Sequence, residues 1–248
     1  MDFKHVYIGR IAGEEIPWTF RFPDTHRYLR KYIKDEKREI SSRMVSVSKL
    51  EYSDWEKFGN KVDAFGEFCL LCQQTSDYLL AYDCCIFHAA AISYADRSWL
   101  IAAGSGVGKS TLCGKLIEIY PMDIQVINGD KPALQNDGRN GIMVHPSPWN
   151  GKEGWKGAEA APLGGVFLLQ RGSETGILPA KETEAVFHIF MNIFQSYTKE
   201  DTLRAAGRMT EDIIKTTPVW MLTSYGVQET AELVHKVMHN TMEGKYEL

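Results

Sequence analysis

No apolar run in this 248-residue chain reaches the roughly 20 residues that a bilayer-crossing helix needs. The N-terminus, Met1-Asp2-Phe3-Lys4-His5, lacks a signal-peptide profile, so the sequence predicts a cytoplasmic protein with no membrane partner. Excess positive charge is missing too. With 28 Lys and Arg against 32 Asp and Glu, the net charge of −4 gives no electrostatic footprint for nucleic acid. Cysteine is sparse and odd in number: five residues cannot make a complete disulfide framework. Cys69-Leu70-Leu71-Cys72, with Cys84-Cys85 downstream, has the look of a zinc or redox motif. Yet Phe65, Phe68, Cys69 and Cys72 fall at i, i+3, i+4 and i+7, which puts both thiols on a helix's apolar stripe as reduced core residues. His235 and His239, four apart, are open to the same two readings, a metal pair or exposed histidines beside a core face. Repeats and low-complexity tracts are absent. The 44% of hydrophobic residues suffices for a sizeable core, in one large domain or in a compact catalytic domain with an N-terminal extension.

The first 60 residues read as a small, mostly extended region. Trp18-Thr19-Phe20-Arg21-Phe22 alternates like a strand until Pro23, and Asp24 is placed to cap a short helix carrying Tyr28, Leu29, Tyr32 and Ile33 inward. Lys34 to Glu39 is a solvated charge run, and Met44 to Ser48 reads as another strand. Ser53 and Glu56 have capping-box spacing for a helix start. From Asp63 to Tyr82 the period is helical. Strand and helix then alternate: strands at 86–92, 99–102, 124–127, 142–145, 166–169 and 219–222, helices after residue 109 and over about 182–196 and 200–215. A final helix turns Ala231, Val234, Val237 and Met238 inward. The expected fold is α/β, with a β-rich N-terminal α+β extension (1–83) and a nucleotide-binding domain (84–248), packed as one unit.

The organising stretch is Ala103-Gly104-Ser105-Gly106-Val107-Gly108-Lys109-Ser110-Thr111, between the strand Trp99-Leu100-Ile101-Ala102 and a helix with Leu112, Leu116 and Tyr120 on one face. Strand, glycine-rich loop and helix are the setting of a phosphate-binding P-loop (Walker A). Glycines let successive amides point at a polyphosphate, and the helix dipole adds positive potential. Residues Gly104 to Thr111 are therefore the expected nucleotide cradle. Lys109 would reach the β and γ phosphates, and Ser110 would ligate magnesium. The strict pattern has glycine where this chain has Ala103.

Three features narrow the chemistry. Asp130 ends the third strand of the core, where open α/β sheets bind ligands, and can hold magnesium or accept a proton from an attacking hydroxyl. The alternative is a turn-forming Asp next to Gly129 and Pro132. His88 lies in an apolar strand one hairpin before the loop, as a core residue or beside the phosphates. Pro146 to Trp155 carries Trp149, Trp155 and Lys152 among glycines. Lys152 would neutralise transferred phosphate, and the tryptophans either close over a ligand or pack inward.

The order His88-Ala89, hairpin, Gly104-Ser105-Gly106-Val107-Gly108-Lys109-Ser110, then Asp130 resembles the HPr kinase/phosphorylase C-terminal domain and the related ATP-dependent phosphoenolpyruvate carboxykinase fold. The resemblance covers roughly residues 84–170, and the chain looks more like the short HPr-kinase-like proteins. It implies an active site made of a histidine before the P-loop and an acidic pair after it. His88 matches the first, while Gly129-Asp130 retains only the second member of the pair. Asp130 then serves both duties, Glu153 substitutes, or the activity is altered. The implied function is an ATP-dependent kinase using magnesium at Ser110 and Asp130. Its acceptor is a hydroxyl of a peptide, protein or small molecule, with Asp130, His88, Lys109 and Lys152 catalytic, in a chain that assembles as a homo-oligomer. The alternatives are a nucleotide-sensing module without catalysis and a simple ATPase.

Overall fold

A computed structural model describes residues 6–37, 44–139, 141–155 and 157–244. The N-terminal part holds β1 (Val6–Ile11), β2 (Glu14–Trp18), α1 (His26–Leu29), β3 (Ile33–Lys37), α2 (Lys49–Lys57) and α3 (Ala64–Leu79). There follow β4 (Cys84–Ile86), β5 (Ala89–Tyr94), β6 (Arg97–Ala102), α4 (Lys109–Ile119), β7 (Gln125–Asn128), β8 (Ala133–Asn136) and β9 (Ile142–His145). The chain continues through β10 (Ala161–Arg171), β11 (Gly176–Pro179), α5 (Glu182–Asn192), α6 (Glu200–Thr216), β12 (Val219–Ser224) and α7 (Val227–Met242). This is a mixed α/β fold: a three-stranded antiparallel sheet, ordered β2-β1-β3, and a nine-stranded mixed sheet.

The large sheet runs β4-β8-β9-β10-β6-β5-β7, with β12 beside β10 and β11 beside β12. Its centre is parallel, β10 pairing with β6 and with β12. Strand residues alternate between two cores, as the two-residue period of a strand demands. Ala89, Ala91, Leu100, Ala102, Val166 and Leu168 join Ile189 of α5 and Ala205, Met209 and Ile213 of α6 on one face. Ala90, Ile92, Trp99, Ile101, Phe167 and Leu169 join Leu112 and Leu116 of α4 and Val234 and Met238 of α7 on the other. Burial on both faces is why these strands are unbroken apolar runs. A third core ties Trp18, Phe68 and Leu71 to Cys84, Ile86, Ala133 and Trp149.

Several local expectations change. Of the alternating stretch 18–22 only Trp18, the last residue of β2, is in a strand; beyond it the Arg21 and Phe22 amides donate to the buried Glu67 carboxylate instead of to a sheet partner. Glu67 also accepts from the hydroxyls of Thr25 and Tyr52. Asp24 lies in a single 3-10 turn without a side-chain cap. Of 44–48, Val45 makes an isolated bridge to Trp18. The capping box belongs to Ser48 and Glu51, one turn before Ser53, so the helix starts earlier. The charge run supplies β3, and its last residues lie outside the described ones. Cys69 and Cys72 sit on α3, Cys72 buried, and all five cysteines are free. Burial raises the thiol pKa values of both residues. His235 stacks on Tyr120 with ring centroids 3.7 Å apart, and His239 meets the Tyr94 hydroxyl at 3.2 Å. Among the described residues no helix is long and apolar enough to cross a membrane.

Candidate active site

The expected strand 86–92 is two strands, and the break between them builds the site. β4 pairs with β8, whereas β5 pairs with β6 and β7. At the changeover the Phe87 amide donates to the Pro132 carbonyl, and the His88 amide donates to the Asn192 carbonyl at the end of α5. His88 therefore leaves the ladder rather than standing inside a strand. Residues 129–132, between β7 and β8, cross the same seam and bring Asp130 alongside.

Gly104, Ser105, Gly106, Gly108, Lys109, Ser110 and Thr111 line one side of a cleft of about 580 Å³. His88, Gly129, Asp130, Gly151, Lys152 and Glu153 complete its lining. Gly106 (φ +75°) and Gly108 (φ +128°) adopt left-handed backbone that a side chain would strain. Val107 turns away to pack on the α4 and α7 core. α4 starts at Lys109, so its free amides face this end of the loop.

Lys109 is only 8% exposed. Its ammonium donates to the Ala103 carbonyl at 2.8 Å and lies 3.0 Å from His88 Nε2. Burial lowers its pKa, and the Asp130 charge acts in the opposite direction. His88 Nε2 lies 3.5 Å from Asp130 Oδ1. Asp130 Oδ2 in turn pairs with Lys131 Nζ. Burial pushes the Asp130 pKa up, but hydrogen bonds and charge from His88 and Lys131 outweigh it and hold the carboxyl at about 2. Lys131 also stands 5.6 Å from the centre of the Phe194 ring.

The turn that carries Asp130 is held from below. Asn128 accepts from the amides of Asp130 and Lys131 through its side-chain oxygen, and its amide group donates to Ser147. Ser147 in turn donates to the Lys131 carbonyl. Gly129 donates to the Asn150 side chain. A Cβ built on Gly129 would stand 2.7 Å from the Asn150 carbonyl oxygen and 2.9 Å from the Trp155 ring. That approach is the local reason for glycine at this position.

Of the expected site residues, those of the loop except Val107, together with His88, Asp130 and Lys152, share the cleft. Trp149 does not: it is buried, stacked on Phe68 at 5.5 Å, with its indole N–H donated to the Phe68 carbonyl. Trp155 is half-buried against the α4 and α7 core and the Gly129 backbone. Lys131, next to Asp130, and Arg171, at the end of a central strand, are the residues that sequence reasoning passed over. A charged residue ending a buried parallel strand was the available signal for Arg171.

No protein-family model matches the sequence, and neither does any curated protein sequence. Among solved structures, the chain is similar to the Hpr(Ser) kinase/phosphatase from Coxiella burnetii. That match has 16% identity and a TM-score of 0.39, and it covers 65% of this chain and 99% of that one.

Proposed function

We propose that this chain is an ATP-dependent kinase that transfers the γ-phosphoryl group to a hydroxyl of a peptide, protein or small molecule. The observation that carries the reading is the convergence of Lys109, His88 and Asp130 on a cleft lined by the glycine-rich loop. Loop amides and Lys109 would hold the triphosphate, and Lys152, exposed in the same lining, would meet charge developing on the transferred group.

The donor set suits magnesium. Ser110 offers a hydroxyl and Asp130 an ionised carboxylate, hard oxygens of the kind that ion takes together with water and phosphate. Bound there, magnesium would neutralise phosphate charge. A carboxyl held at about 2 is a weak base, so the main task of Asp130 is to orient an acceptor hydroxyl and carry charge. A loose phosphoryl-transfer transition state asks for little more, since positioning supplies most of the rate.

One observation favours a second reading, a nucleotide-gated binding module. The tight contacts of Gly129 exclude a side chain, which leaves a single carboxylate on the β7–β8 turn facing the cleft. Turnover of γ-labelled ATP with magnesium decides between them, with Lys109→Ala and Asp130→Asn as controls. Label moved to an acceptor and lost in both variants supports the kinase, release of phosphate without an acceptor supports an ATPase, and tight binding without turnover supports the module.

A further inference from the structure

We propose that Arg171 is a positioning residue that presets the phosphate loop; the inference rests on the nucleotide reading above. Arg171 is the last residue of β10, in register with Ser224 of β12, and three residues beyond Leu168, which pairs with Ala102 at the end of β6. The following Gly172 amide donates to the Ser224 carbonyl, so the backbone at this point is fixed on the central parallel strands. From that anchor the guanidinium donates through Nη2 to the Gly106 carbonyl at 2.8 Å and through Nε to the Val107 carbonyl at 3.2 Å.

These are consecutive carbonyls in a loop with two left-handed glycines. The loop's own backbone contact, Val107 N–H to the Gly104 carbonyl, is long at 3.4 Å. In a planar trans peptide the carbonyl and the following N–H point in opposite directions. Holding the carbonyls of Gly106 and Val107 toward Arg171 therefore turns the N–H groups of Val107 and Gly108 away from it. Gly108 and the residues after it line the cleft. The rigid fork of a guanidinium can hold both carbonyls at once, which a lysine ammonium matches poorly. Arg171 makes its contacts through loop carbonyls, so it acts on the ligand through the loop and by its charge, without touching phosphate.

The test is calorimetric titration of ATP, ADP and AMP into wild type, Arg171→Gln, Arg171→Lys and Lys109→Ala, with thermal unfolding of each unliganded protein. Losing a charged hydrogen-bonding group costs about tenfold in affinity. Arg171→Gln should therefore bind ATP and ADP roughly tenfold more weakly, with AMP affected less and the unliganded unfolding midpoint unchanged. Arg171→Lys should recover only part of the loss. If Arg171→Gln binds ATP as wild type does while Lys109→Ala does not, the positioning role is wrong and the nucleotide reading survives. An equal loss for all three nucleotides with a lowered midpoint would make Arg171 a fold residue and also overturn the proposal. Should wild type bind none of them, both readings fall together.

Discussion

His88 Nε2 lies 3.0 Å from the Lys109 ammonium, and an ammonium has hydrogens to give and no lone pair to receive them. Nε2 can accept from Lys109 or donate to Asp130 Oδ1, 3.5 Å away, but one ring nitrogen cannot do both at once. A polyphosphate that draws Lys109 into the loop would release Nε2 to bond Asp130. Lys109 and His88 should then separate in kinetics. Lys109→Met should weaken ATP binding, read by calorimetry. His88→Gln should lower turnover by about 100-fold with ATP affinity nearly unchanged, the lower range for a lost acid–base group. Equal effects of His88→Gln on kcat and on ATP affinity would place His88 in ground-state binding instead.

Gly129 is held by space rather than by backbone angle. Gly129→Ala places a methyl 2.7 Å from the Asn150 carbonyl oxygen, and the indole of Trp155 blocks the other direction. Overpacking of this kind costs about 1–3 kcal/mol, which urea unfolding will measure. Gly129→Asp should be less stable than wild type and should gain no activity, because its carboxylate cannot enter without displacing Asn150.

The acid limb of stability should carry the mark of Asp130. Its folded pKa, about 2, lies below the ordinary 3.8, so its contribution is fully present above pH 3.8 and is lost as the pH falls toward 2. The shift corresponds to a contribution on the order of 2 kcal/mol. Urea unfolding of wild type and Asp130→Asn should differ by a constant amount between pH 7 and 5, and the gap should narrow only below about pH 4. A gap that closes near neutral pH would assign the stabilisation to another group.

Trp149 should matter for folding and not for binding. Trp149→Ala removes a buried ring and its bond to the Phe68 carbonyl, a loss of about 3–5 kcal/mol by denaturant unfolding. Trp149→Phe should keep ATP affinity within about twofold of wild type, since the ring faces Phe68 and does not line the cleft.

The long elements were legible because their patterns are one-dimensional. β6, β10 and β12 are apolar over consecutive residues since both faces are covered, and α3, α4 and α7 repeat at helical spacing. The loop from Gly104 to Thr111 announced itself by glycine, lysine and serine in one short run. What escaped depends on partners far away in the chain. β8 and β11 are four-residue strands beside prolines, so their turn signals masked them. The stretch 18–22 alternates like a strand, but Glu67, more than forty residues on, takes its amides. Arg171 meets its carbonyls across 64 and 65 residues of sequence. The break at His88 follows from a change of strand neighbours that no local pattern encodes.

The stacking of Trp149 on Phe68 reaches beyond the stability of one ring. The expected boundary near residue 83 separates two sheets, yet the core around Trp149 runs across it through Leu71, Cys84, Ile86 and Ala133. A fragment starting at β4 would present Cys84, Ile86, Ala133 and Trp149 to water, and Lys152 would lose the anchor that Trp149, three residues before it, makes on Phe68. Truncation to residues 84–248 should therefore yield an aggregating fragment. Whatever grips the N-terminal sheet has a direct mechanical path to one wall of the cleft.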